Sequence, residues 1–542
     1  MKRQLSLGLD LSTQGLAAVI LDIDRLEMVY EHSLDYIKDS RFKDFGLSSR
    51  DYILPPGEDG EANQPPEMYW AALDALLGDI QKAGVDMADI VVINNSAQQH
   101  GHVYLNSRAT AIFNRLNSRE ASLSSLPDLL RGSLAFPAAP IWMTSNTRQE
   151  AADILHNIGG RTVMIQLSGS SAPLRFTGII MRKIARQFPE AYRETARLQL
   201  LSSMITAILT GNAGADIDFG NACGMSLMNY HRRQWSHRLI KAVSQDLPGG
   251  AAGFRSKLPS LVAPDKLVGK VAWYFVSRYG FNPECAVTAG SGDNPQSKVL
   301  ITGDLLSLGS SLVNMVSTDS RTLDRNGFAN GMYDGVGRPF IFGCRTNGAL
   351  VWDQVRSRYG LPKEDYRLAE KALQAAPLGQ NLVFWQPRHE SLPPSSSFDL
   401  TRTSHELTTF GTDYAGLIES AMAAVYYHSQ GFADETGAPL YVTGGAAASP
   451  NILRRIAAIW KRPVIPIEEG GAALGAAAAG AYSWLKACGE AVVIQDITQP
   501  LLKTETAVDP HIEDVQAFHA PGGYLERFAV AEQYLIKNHP LV

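Results

Sequence analysis

Cysteine is scarce. Cys223, Cys285, Cys344 and Cys488 are the only four in 542 residues, and no Cys-x-x-Cys pair or neighbouring histidine cluster occurs. That spacing argues against a disulfide framework or a zinc site and suits a reducing cytoplasm. An excess of one charge is missing too: 49 Lys and Arg face 54 Asp and Glu, a net charge of −5. Neither nucleic acid nor an anionic membrane finds the basic footprint it selects. Long apolar runs are absent as well. The residues after Lys2 and Arg3 imitate a secretory leader, but Asp10 and the polar Ser12-Thr13-Gln14 break the run too early for one. Gly470 to Trp484 is uncharged, yet it is mostly Ala and Gly and shorter than the ~20 residues of a membrane span. It reads as a closely packed internal helix.

What is present is ordinary for a globular protein: 45% hydrophobic and 19% charged residues, with 47 glycines. This excludes disorder, collagen and coiled coil. At ~150 residues per domain the length makes three or four units or two large lobes.

Two halves share one grammar. Leu5 to Leu11, Leu16 to Ile23 and Met28 to Tyr36 read as strands, the first two joined by Ser12-Thr13-Gln14-Gly15. Asp39 to Gln64 reads as a surface loop. Glu67 to Ala83 carries Trp70, Leu73, Leu76, Leu77 and Ile80 at helical spacing. Ile90 to Ile93 is a buried strand running into Gln98-Gln99-His100-Gly101. Asn106 to Ala139 reads as loop, Pro189 to Leu209 as one long helix, and Asp216 to Trp235 as irregular. The pattern then restarts. Cys285 to Ala289 is a strand ending in Gly292-Asp293-Asn294. Leu305 to Leu308 and Leu312 to Val316 form a hairpin around Gly309-Ser310-Ser311. Leu5-Ser6-Leu7-Gly8 and Leu306-Ser307-Leu308-Gly309 each enter a hydroxyl-rich turn, which points to duplicated lobes. Strand-helix alternation from Tyr414 to Cys488 argues an α/β fold.

Four segments carry chemistry. The turn Asp10 to Thr13 offers backbone N–H groups, a hydroxyl and a carboxylate, suited to phosphate oxygens and a magnesium ion; an ordinary hairpin capped by its Asp is the plain alternative. Gly309-Ser310-Ser311 offers the same donors without the carboxylate, and no Gly-x4-Gly-Lys-Ser/Thr loop occurs. Asp293, at the end of a buried strand, fits a general base that takes a hydroxyl proton, or equally a helix cap. Gly444-Gly445 leaves room for a flat ring or a ribose against the backbone, or simply makes a tight turn. The small residues after Glu468-Glu469 fit close helix packing, which would keep a nucleotide-binding lobe rigid.

In order, Leu9-Asp10-Leu11-Ser12-Thr13-Gln14, Gln98-Gln99-His100-Gly101, Ile141-Trp142-Met143, Arg175-Phe176-Thr177-Gly178, Gly292-Asp293-Asn294, Leu306 to Ser311, Gly444-Gly445 and Gly470 to Gly475 resemble the FGGY carbohydrate kinases, across about Leu5 to Ala487. Several of these motifs look like the xylulose kinase branch. The resemblance implies two actin-like, ribonuclease H-like ATPase lobes around a catalytic cleft, a sugar-binding lobe over 1–283 and a nucleotide-binding lobe over 284–542. It implies transfer of the ATP γ-phosphoryl to the terminal hydroxyl of a ketose, with D-xylulose first. Asp293 would be the base. His100, Arg175, Asn294 and Gln99 would bind the sugar, and Asp10 would hold Mg2+. Thr13, Gly309, Ser310 and Ser311 would face the ATP phosphates. Gly444, Gly445 and Asn451 would line the adenosine, with Tyr366 stacked on adenine. A homodimer is compatible with it. Two departures stand out: Ala17 where many relatives carry Lys or Arg, and Thr144 where relatives place a sugar-binding Asp. Thr144 keeps open a kinase for another ketose or polyol such as ribulose. A non-catalytic ATP-binding sugar sensor is the alternative from another class.

Overall fold

The computed structural model describes residues 3–362, 366–403, 408–433, 437–468 and 470–541. Lys2 and Glu469, singled out above, lie outside them.

The chain forms two compact units, 1–300 with 331–339 and 470–501, and 301–330 with 340–469 and 502–542. In the first, strand β1 (Leu5–Leu11) is covered on both faces: Leu5, Leu7, Leu9 and Leu11 fill one, and the small Ser6 and Gly8 lie on the other with Asp10 at its end. It pairs antiparallel with β2 (Gly15–Asp22), and β2 pairs antiparallel with β3 (Glu27–Asp35). On its other edge β1 runs parallel to β4 (Ile90–Ala97), which is parallel to β6 (Ala286–Thr288); β5 (Leu267–Lys270) closes that edge antiparallel to β6. In the second unit β7 (Asp304–Leu308) pairs antiparallel with β8 (Leu312–Ser317), and β8 antiparallel with β9 (Pro339–Arg345). β7 runs parallel to β10 (Leu440–Thr443), and β10 to β11 (Val464–Pro466). The hairpin repeat seen in the sequence thus extends to five strands in the same order and the same directions.

Helix α1 (Pro66–Lys82) buries Trp70, Leu73, Leu76, Leu77 and Ile80 in the core of the first sheet. Helix α2 (Gly471–Ala487) is the internal Ala- and Gly-rich helix expected, but it belongs to the first unit, not to the second. It lies so close to β1 that a Cβ on Gly8 would fall 2.1 Å from the Ala473 carbonyl. Ser6 Oγ and Asn94 Nδ2 donate to the Ala477 and Ala476 carbonyls at 2.7 and 3.0 Å. Residues 284–300 also belong to this unit.

The long helix expected over Pro189 to Leu209 is broken. Pro189–Glu194 and Leu201–Thr210 are helical, and Thr195–Leu200 between them is a strand. It pairs antiparallel with His102–Asn106. Pairing and the burial of Leu198 and Leu200 override helix propensity there. Asn106 to Ala139 is not plain loop either: Ala109–Asn114 and Leu126–Leu130 are short helices that bury Ile112, Phe113, Leu126 and Leu130. Among the described residues no helix is long and apolar enough to cross a membrane.

Candidate active site

Parallel strands present their carboxyl ends to a ligand crevice, and here three chain segments end together. Asp10 on β1 stands in register with Ser96 on β4, and Ser291 aligns with the same Ser96. Gln98-Gln99-His100 therefore follows β4 at the level where Asp293 follows Gly292.

Asp293 uses its two carboxylate oxygens differently. Oδ1 accepts the backbone N–H of Asn294 at 2.8 Å, the Asn294 side-chain amide at 3.1 Å and the Gln99 N–H at 3.3 Å. Oδ2 is left to a cleft of about 460 Å³ whose lining includes Thr13, Arg50, Trp142 and Asp293 itself. Burial, and then the charge of Asp10, push the Asp293 carboxyl up to about 7. Asp10 is half-buried, burial raises its pKa, and its Oδ1 is buried with no hydrogen-bond partner.

Asn294 Nδ2 also donates to Gln99 Oε1 at 3.0 Å, so one amide links base and neighbour. Gly292 makes this fit possible, since a Cβ there would lie 2.3 Å from Gln99 Cγ. Gln99 Nε2 and Asn221 Oδ1 are buried beside it without a partner. Asn221 lies in the segment expected to be irregular. Its helix is capped by Asp218, whose carboxyl burial raises to about 7 and whose Oδ2 accepts Ser291 Oγ at 2.8 Å.

His100 is held in one tautomer. Its Nδ1 lies 3.0 Å from the Gly224 carbonyl, which only accepts, so Nδ1 carries the proton. Burial first and Arg175 second lower its pKa to about 3, which keeps the ring neutral and leaves Nε2 a bare acceptor. The ring stacks on Phe176 at 4.5 Å. The backbone of His100 is left-handed, φ 69°, a costly state for a side-chain-bearing residue. Its carbonyl accepts from His102 Nδ1 and the Thr177 hydroxyl, which fixes that conformation.

Thr13 sits in a network that the sequence did not announce. Its Oγ1 donates to Gln98 Oε1 at 2.8 Å and accepts the Trp142 indole N–H at 2.9 Å. Gln98 Nε2 donates to Gln64 Oε1 at 2.8 Å, which also takes the Tyr69 hydroxyl at 2.7 Å. Thr144, by contrast, is buried and donates its hydroxyl to the Ala62 carbonyl at 3.0 Å. Ala17 pairs across the strand from Asp10.

In the second unit Gly309, Ser310, Tyr366 and Gly445 line one pocket of about 600 Å³, together with Trp352 and Tyr414. Gly444 (φ 96°) brings its chain so close to β7 that a Cβ would meet the Leu308 carbonyl at 2.7 Å. Tyr366 lies over the Arg356 guanidinium at 3.9 Å and its hydroxyl donates to Asp353 at 3.3 Å. Asn451 and Ser311 are not at this surface. Asn451 donates its side-chain amide to Glu370 at 2.7 Å, beside Ser449 Oγ at 2.6 Å, and Ser311 Oγ donates to the Thr346 carbonyl at 3.3 Å. Glu370, Asp353 and Trp352 were missed by sequence reading because single residues on helices carry no local signal. Among the described residues no cluster of three or more His, Cys, Asp or Glu forms a metal cage.

Residues 137–299 match the N-terminal domain, and residues 305–484 the C-terminal domain, of the FGGY family of carbohydrate kinases. The chain is 30% identical to "Xylulose kinase 2" of Arabidopsis thaliana, over 89% of this chain and 87% of that one. It is 26% identical to "Probable D-xylulose kinase A" of Aspergillus flavus over 99% of each. A solved structure titled gluconate kinase, from Lactobacillus acidophilus, superimposes with a TM-score of 0.77 over 98% of this chain and 97% of that one, at 16% identity, and shares the fold. With both family domains matched in order and a relative aligned over most of its length, the chain belongs to the FGGY family of carbohydrate kinases.

Proposed function

We propose that this sugar kinase transfers the γ-phosphoryl of ATP to the terminal hydroxyl of D-xylulose, giving D-xylulose 5-phosphate. The observation that carries the reading is the division of labour on Asp293. Three donors hold Oδ1 and fix the carboxylate, and Oδ2 faces the cleft with nothing to accept. Oδ2 takes the proton of the attacking hydroxyl, and a pKa near 7 suits a base working at neutral pH. His100 accepts a second sugar hydroxyl at Nε2. Arg175, Asn294 and Gln99 donate to others; the buried, unpartnered Gln99 Nε2 supports this. The names of the relatives support D-xylulose.

The pocket around Gly309, Ser310, Tyr366 and Gly445 takes the nucleotide, with Tyr366 against the base. Ser311, Gly444 and Asn451 shape it from behind, which gives the first unit the sugar and the second the nucleotide. Mg2+ fits Asp10, whose Oδ1 is buried and unpartnered. Asp10 would hold the ion there, and the ion would supply positive charge for the transferring group. Phosphoryl transfer asks mainly for positioning and charge neutralisation, and the residues above do both. The four free cysteines support the cytoplasm as the place of work.

The test is ADP release with Mg-ATP across D-xylulose, D-ribulose, L-ribulose, L-xylulose, glycerol and a no-sugar control. Preference for D-xylulose is the expected result. Preference for another acceptor keeps the mechanism and reassigns the sugar, whereas release that ignores every sugar overturns the reading.

A further inference from the structure

The loop Ser48 to Ile53 lies outside the residues that match the family domains, yet it is pinned to the site. Ser48 N–H donates to the Ile53 carbonyl at 2.8 Å and Tyr52 N–H to the Ser48 carbonyl at 3.0 Å. Ser48 Oγ accepts the N–H groups of Arg50 and Asp51 at 3.3 and 3.4 Å. Tyr52 is left-handed, φ 58°, and its hydroxyl donates to Asp35 at 3.3 Å. Its carbonyl accepts Gln64 Nε2 at 2.6 Å, and the same nitrogen donates to the Thr13 carbonyl at 2.8 Å. One buried amide therefore ties this loop to the Thr13 turn. A strained tyrosine held from three sides is the kind of backbone that persists where the surroundings over-determine it.

The result is to present Arg50 to the cleft that Thr13, Trp142 and Asp293 line. Among the described residues it is the only cation in that lining. Its guanidinium is uncommitted: the side chain is 90% exposed and its nearest carboxylate, Asp51, stands 3.9 Å away. The cleft meanwhile holds the Asp293 carboxyl, whose pKa the nearby charge of Asp10 helps to raise, so acidic charge stands beside the point where a phosphoryl group must arrive. A planar guanidinium, always charged, donates to two phosphoryl oxygens at once.

We propose that Arg50 binds the phosphoryl group as it is transferred, and the phosphate of the sugar phosphate that results. As the acceptor oxygen bonds to phosphorus, the bond to the β-phosphate oxygen breaks, ADP leaves with that electron pair, and the hydroxyl proton passes to Asp293. Arg50 donates to the non-bridging oxygens throughout and is unchanged. This rests on Asp293 being the base of a sugar kinase.

The experiment compares wild type with Arg50→Ala and Arg50→Lys. It measures kcat and KM with the ketopentose the wild type turns over, and the affinity for that sugar and for its 5-phosphate by calorimetry. In Arg50→Ala kcat falls roughly 10- to 100-fold, the range for one hydrogen bond to a charged group. Sugar affinity stays within twofold, 5-phosphate affinity falls at least tenfold, and Arg50→Lys recovers part of each loss. A kcat within twofold of wild type, or equal losses for sugar and sugar phosphate, overturns the assignment. So does a loss confined to a sugar acid such as D-gluconate, which would place the guanidinium on an acceptor carboxylate. A wild type that releases no ADP in response to any ketopentose overturns the underlying reading instead.

Discussion

The indole N–H of Trp142 donates to the hydroxyl of Thr13 at 2.9 Å, while that hydroxyl donates its own proton to Gln98 at 2.8 Å. The turn after β1 is thereby fixed by two neighbouring side chains. Trp142→Phe removes one donor and leaves the ring. A neutral hydrogen bond contributes about 1 kcal/mol, so kcat/KM should fall roughly three- to tenfold, with the melting temperature within about a degree. Steady-state kinetics together with a thermal melt check both halves. An unchanged kcat/KM would show that Thr13 needs no such support.

Asp293→Asn keeps an oxygen where three donors converge and replaces the free oxygen with an amide that takes no proton. Folding and ATP binding should survive, with turnover down by roughly 10²- to 10⁴-fold, the usual share of a general base. Turnover near wild type, with ATP affinity measured in parallel, would refute the role.

The pH dependence runs in two opposite directions. Asp293 works ionised, and burial with the charge of Asp10 holds it up to about 7. Thus kcat/KM for the sugar should be flat above that pH and fall about tenfold per unit below it. Stability changes the other way. Between the ordinary carboxyl value of about 4 and the folded value, the native state keeps a proton that the unfolded chain has lost, so unfolding free energy declines as pH rises through that window. Asp293→Asn removes the effect. Its melting temperature should gain on wild type from pH 5 to pH 8, and a constant gap across that range would sink the argument.

The order of motifs made the two-fold repeat and the family legible, because each strand, hydroxyl turn and returning strand is contiguous in sequence. The same holds for Asp10, His100 and Asp293, which stand at the carboxyl ends of strands with recognisable apolar runs. What stayed hidden depends on pairing between distant segments. Thr195–Leu200 reads as helix until His102–Asn106 is beside it. Helix α2 reads as part of the second lobe until Gly8 admits it to the first sheet. Arg50 lies in a polar stretch with no periodicity, and only the Gln64 amide reveals that the stretch is tied to the site.

Tyr366 carries Arg356 on one face at 3.9 Å and lines the pocket of the second unit. Tyr366→Ala should raise KM for ATP about three- to tenfold, in line with the ~1 kcal/mol of an aromatic stacking contact, and leave kcat within twofold. That pattern marks binding shared equally by ground and transition states. A fall in kcat with KM unchanged would place the ring elsewhere in the reaction.

The family resemblance implies a sugar-binding Asp at the position of Thr144, which makes Thr144 the natural suspect for a changed acceptor. The geometry points away from that. Its hydroxyl donates to the Ala62 carbonyl at 3.0 Å, and its N–H donates to Ile141, so the side chain closes a turn instead of facing the cleft. Thr144→Val deletes the hydroxyl at nearly constant volume and leaves the Ala62 carbonyl short of a donor, at a cost of about 1–2 kcal/mol. The melting temperature should drop by about one to two degrees, while the ratio of kcat/KM values for D-xylulose and D-ribulose stays within twofold. Thr144→Asp should be worse than Val, since it buries a carboxylate against a carbonyl oxygen. A shift of acceptor preference in Thr144→Val, with stability intact, would show that the hydroxyl reaches the sugar after all.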